Sequence, residues 1–161
     1  MKAASIKQIK DQLETIPEKE LRDICLRLTK FRVENKELIT YLLFEADDEA
    51  SYIEHIKLSL KDIFSDINKG NLYYAKKTIR KIIRHANKYI KYSGIDTTEA
   101  EILIFVVKEL HQTGLDFSKS QVLTNILNNL YKRIEKCVAC MHEDLQYDYR
   151  RWLNDLNNLS R

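Results

Sequence analysis

Proline occurs once in the 161 residues of this chain and glycine three times. Sheets and loop-rich folds need turn residues in quantity, because tight turns demand a positive φ or a preset one. Their scarcity argues against both classes and leaves helices joined by short connections. Long apolar runs are missing too. The longest, residues 102–107, falls far short of the roughly 20 residues that cross a bilayer. The opening MKAASIKQIKDQLETI holds no apolar stretch of the kind a secretory signal carries. Three cysteines make no disulfide framework. These absences predict a cytoplasmic protein with no membrane partner.

The motifs of common chemistry are also lacking. No G-x-x-x-x-G-K or G-x-G-x-x-G cradles a phosphate. His55, His85, His111 and His142 form no H-x-x-x-H, and no Glu precedes a His by three residues as in di-iron bundles. Cys137-Val-Ala-Cys140 has metal or redox spacing, yet it falls within one helical pattern. There the two Cβ atoms stand about 5–6 Å apart, beyond the roughly 3.5–4.5 Å of a disulfide. A zinc site would need two more ligands, and His142 points to another side of the helix. Buried small apolar side chains are the expected role. Glu45, Asp47, Asp48 and Glu49 crowd a helix junction, where carboxylates cap free N–H groups. No catalytic residue, cofactor or metal is assigned, and the protein reads as non-enzymatic.

What is present is 44% apolar and 32% charged, enough for one domain with a core over residues 1–161. Apolar residues recur at helical spacing in six or seven segments. A weak helix carries Ile6, Ile9 and Leu13. Thr15-Ile-Pro17-Glu18 spells a capping box before a second helix. A third runs from about Val33 to Glu45. Asp47 or Asp48 caps a fourth, with Ile53, Ile56, Leu60 and Ile63 on one side. The glycines at 70, 94 and 114 fall where helices should stop, and new caps follow: Asn71, then Asp96 to Glu99, then Ser118 to Gln121. The helix of 97–113 is apolar around most of its girth and belongs at the centre. From Ser118 onward neither Gly nor Pro interrupts, so one long C-terminal helix is expected, bent near 142–147 or projecting. The fold class is all-α, in a bundle or a short α-solenoid-like array. A tetratricopeptide pattern fails, with Asp66 and Lys69 where Trp and Leu belong.

One segment stands apart. Residues 71–94 hold seven Lys or Arg and no acid, while the remainder has 24 acids against 20 bases. On a helical wheel Leu72, Ala75, Ile79, Ile82, Ile83, Ala86 and Ile90 share an apolar arc of about 100°. Lys77, Arg80, Lys81, Arg84, Lys88 and Lys91 fill the opposite arc, with Tyr73, Tyr74 and Tyr92 within or beside it. Cations one turn apart suit a phosphate backbone, and tyrosines stack on bases. Acids at 47, 48, 49, 99 and 101 are available to cover that face, which is the plainer reading. A second cluster, Tyr149, Arg150, Arg151, Trp152 and Leu156, gathers the residue types that dominate protein interfaces. The first expectation is an interaction or scaffold protein that binds a protein partner or self-associates as a homodimer. The second is a nucleic-acid-binding module using helix 72–93. A metal-binding or enzymatic bundle comes third.

Overall fold

The computed structural model describes residues 2–159, with side chains through Asp155. Among them are eight α-helices and no strand. They are α1 (Ile6–Leu13), α2 (Glu18–Phe31), α3 (Val33–Thr40), α4 (Glu49–Ser65), α5 (Leu72–Ser93), α6 (Asp96–Gln112), α7 (Gln121–Cys140) and α8 (Glu143–Leu159). A π-helical turn spans Tyr41–Glu45 and a 3₁₀ turn Phe117–Lys119. No described helix is long and apolar enough to cross a membrane. The chain divides into two compact units, Met1–Phe44 and Glu45–Arg161.

In the first unit, Ser5 and Gln8 form a full capping box at the start of α1. The box expected at Thr15 does not form. Thr15 instead donates its hydroxyl to the Gln12 carbonyl at 2.8 Å, and Pro17 caps α2 without a side-chain bond. One extended residue, Arg32, separates α2 from α3, and Asn35 Nδ2 bridges back to the Leu28 carbonyl at 2.8 Å. No residue of α1, α2 or α3 is buried.

The second unit is built round α6. Ala100, Ile102, Leu103, Val106, Val107 and Leu110 on this helix are fully buried. It packs against α4, α5, α7 and α8, because an apolar surface on most sides of a helix must be covered on most sides. Asp48 caps α4 through the Ser51 N–H, and Asn71 caps α5 through the Tyr73 N–H at 2.9 Å. Gly94 ends α5 with φ 67°, a left-handed conformation that strains any residue with a Cβ. The boxes read at Asp96 and Ser118 are not made: Ile95 and Ser120 occupy those cap positions without side-chain bonds.

The long C-terminal helix is two helices, and this raises the expected six or seven to eight. Met141 is extended (φ −79°, ψ 164°), and Gln146 Nε2 donates to its carbonyl at 2.8 Å. Glu143 and Asp144 then open α8, where the helix dipole favours acids. The second piece returns onto α6 and α7 rather than projecting.

Candidate functional site

Helix α5 presents its two sides as its sequence dictates. Ala75, Ile79, Ile82, Ala86 and Ile90 are buried and α5 packs on α4 and α6, so the cationic side must face out. At 1.5 Å per residue it is a rod of about 33 Å. Lys77, Arg80, Lys81, Arg84 and Lys91 are exposed. Tyr73 and Tyr74 are 72% and 54% exposed, with their rings edge to face at 5.4 Å. Lys88 and Tyr92 are placed differently. Both are half-buried; the Lys88 ammonium sits 4.7 Å over the Tyr89 ring, and Tyr92 stands edge-on to Tyr89 at 5.9 Å.

Four of the five acids that could cover this face, Asp48, Glu49, Glu99 and Glu101, hold bonds to groups outside the exposed row, while Asp47 is exposed. Glu99 takes two hydrogen bonds from Arg133 of α7, at 3.1 and 2.7 Å. Glu101 lies 3.5 Å from Lys57 of α4 and accepts the Tyr149 hydroxyl at 3.1 Å. Asp48 is held by Ser51, whose bonds draw its carboxyl below the usual carboxylate range. Glu49 accepts the hydroxyls of Ser93 and Thr98. Among the described residues, Lys77, Arg80, Lys81, Arg84 and Lys91 make no ion pair. Like charges four apart at 77/81 and 80/84 cost only a few tenths of a kcal/mol each, so the helix tolerates the row.

Beside the row, α5 and α7 flank a groove of about 460 Å³. Ile83, Val122 and Ile126 supply its apolar surface, and Arg80, Arg84, Asn87, Asn125 and Asn129 its polar surface. Arg133 braces one end. Its Nη1 donates to Asn87 Oδ1 at 2.7 Å while the rest of the guanidinium holds Glu99, tying α5, α6 and α7 together. Sequence periodicity placed Arg80 and Arg84 on the outer arc of α5, but nothing local revealed that Asn125 and Asn129 of α7 would line the same groove.

The C-terminal cluster does not form one surface. Tyr149 is 5% exposed, and burial and the neighbouring Glu101 push its hydroxyl pKa up. Trp152 packs edge to face on it at 4.9 Å and keeps 44% of its surface in solvent. Arg150 donates to Gln146 at 2.8 Å, and Arg151 is exposed. The Leu156 side chain lies outside the described residues.

A second pocket, of about 450 Å³, escaped sequence reading. His111 Nε2 and the Tyr131 hydroxyl meet at 3.0 Å in its wall, with Phe117 and Glu135 beside them. Burial lowers the His111 pKa and raises that of Tyr131. The pair joins α6 to α7 across twenty residues, a spacing no motif announces. The four junction acids do not converge either, since Asp48 caps α4 and Glu49 turns to Ser93 and Thr98.

Cys140 closes α7 and is exposed, whereas Cys137 is buried and its thiol is pushed up to about 12, first by burial and then by Glu99. Thiolate is the reactive form. Iodoacetamide at mildly alkaline pH should therefore label Cys140 and spare Cys137 until the protein is unfolded. Peptide mass spectrometry showing equal labelling of both in the folded protein would contradict this placement.

No family model, no curated protein and no solved structure matches this chain.

Proposed function

We propose that the protein is a non-enzymatic helical module that binds a polyanion, nucleic acid foremost, along the outer side of α5. The observation that carries this is the row Lys77, Arg80, Lys81, Arg84 and Lys91, exposed while Asp48, Glu49, Glu99 and Glu101 are bonded to other partners. A solvated decorative face would gain from nearby carboxylates, and here four of the five candidates help to position α4, α6, α7 and α8. Tyr73 and Tyr74 add exposed rings at the N-terminal end of the row. The packing of α6 on four helices favours a bundle over a solenoid, in which each unit touches only its sequence neighbours. The test is direct: a labelled oligonucleotide and heparin are titrated with the full chain at low salt. Absence of binding to both removes the proposal.

A second reading, self-association, is favoured by the first unit. Ile6, Phe31 and Phe44 are 82%, 75% and 79% exposed, and isolated amphipathic helices of this length are marginal in water. Tyr149 and Leu153 are buried, which moves this reading's surface from α8 to residues 6–44. Light scattering at micromolar concentration should report a homodimer, and replacing Ile6, Phe31 and Phe44 with Ser should return a monomer. A parent that scatters as a monomer ends this reading.

A further inference from the structure

The groove between α5 and α7 carries an inference that rests on the polyanion reading and narrows its ligand. We propose that this groove seats one nucleotide of a single-stranded nucleic acid, with the phosphate on Arg80 and Arg84 and the base edge on the amides of Asn125 and Asn129. Three features of the groove lead there.

The first is its polar chemistry. No acid lines it. Asn87 Oδ1 already accepts from Arg133, and Asn125 Oδ1 already accepts from Gln121 Nε2 at 2.8 Å. Each of these two oxygens therefore has one of its two acceptor sites filled, while the Nδ2 groups keep their donors. With two guanidinium groups alongside, donors outnumber acceptors in the groove, which favours a ligand rich in acceptors. Phosphate oxygens meet that demand, and so do the carbonyl edges of pyrimidines and guanine.

The second is the apolar surface of Ile83, Val122 and Ile126. A flat base covers such a surface with its face while its edge stays free for hydrogen bonds. In a duplex that face is stacked and out of reach, whereas a single strand can splay it outward. Asp and Glu side chains would satisfy the arginines but bring no flat apolar face to cover Ile83, Val122 and Ile126.

The third is size and position. At about 460 Å³ the groove lies in the range of small-ligand sites. Tyr73, Arg80, Arg84 and Lys91 are spaced by seven, four and seven residues, which sets them on one line along α5. The strand would run along this line and drop one base into the groove.

The experiment uses the full chain and fluorescence anisotropy at fixed salt. The probes are labelled oligothymidylate, oligouridylate of the same length, a duplex of matched charge, polyglutamate and heparin. A single strand should bind about tenfold more tightly than the duplex, and the tighter of the two strands identifies DNA or RNA as the source. The double variant Asn125→Ala, Asn129→Ala should lose about tenfold on the strand and nothing on heparin. Both positions are exposed, so the fold should survive, which a thermal melt verifies. Asn125→Asp, which puts an acceptor among the donors, should lose more. The inference is overturned if the duplex or polyglutamate binds as tightly as the strand, or if the asparagine variants bind the strand normally. Retained heparin binding in that case leaves the α5 face standing without the groove. Failure of heparin and every oligonucleotide together removes both.

Discussion

Changing Lys77, Lys81 and Arg84 together to Glu should weaken oligonucleotide binding by more than about a hundredfold, with the fold intact. Each cation that neutralises a phosphate of a single strand releases roughly 0.7 counterion. Five exposed cations thus give a log–log salt slope of about −3.5, and the parent should lose roughly a hundredfold between about 50 and 200 mM salt. The variant removes three of the five and sets three acids in the same row, so its slope should collapse toward zero. All three side chains are exposed and make no ion pair among the described residues, so the cost in stability should stay within about 0.5 kcal/mol. Net charge is the obvious confounder, since the reversals take it from +3 to −3. A control with Lys19, Lys30 and Lys136 changed to Glu carries the same net change on exposed positions elsewhere. It should retain affinity within about threefold. Equal loss in the two variants would show that charge as a whole, and not α5, attracts the ligand.

The same face shows where sequence reasoning reaches and where it stops. The span of α5 was legible because its signals are local: Asn71 bonds the N–H two residues on, Gly94 supplies a left-handed residue, and the apolar arc repeats at the helical period. Asp48 was legible for the same reason. The failed boxes at Thr15 and Ser118 are local signals that lost to local competitors. Thr15 bonds backward to Gln12, and Ser118 is taken by Asp116 in a 3₁₀ turn. The break at Met141 was half legible. Acids at 143 and 144 announce a helix start, but the apolar spacing runs on through the break because α8 folds back and still needs a buried side. What no local pattern could show is where Glu99 and Glu101 point. Each is one of several acids near the basic helix in sequence, and each is claimed by a residue more than thirty positions away, Arg133 or Tyr149. Openness of the cationic row depends on that long-range choice, and so does the asparagine side of the groove.

Leu103→Ala should be the most damaging single substitution in the second unit. Leu103 is fully buried near the middle of α6, the helix on which four others pack. Truncating a buried Leu removes apolar contact and leaves a cavity that rigid neighbours cannot fill, at a cost of about 3 kcal/mol. In a unit of this size that lowers Tm by roughly ten degrees, read by circular dichroism. Leu58→Ala is the matched opposite. Its side chain is largely exposed on α4, so the melt should move by no more than a degree or two. A Leu103→Ala melt within a few degrees of the parent would mean that α6 is not the element the others lean on. The two variants also separate stability from binding. The affinity of the α5 row is electrostatic and needs only that the rod persist, so Leu103→Ala should bind the oligonucleotide like the parent in the cold. It should lose that affinity only as the helical signal melts, because the lysines align only while Ile79, Ile82 and Ala86 remain buried.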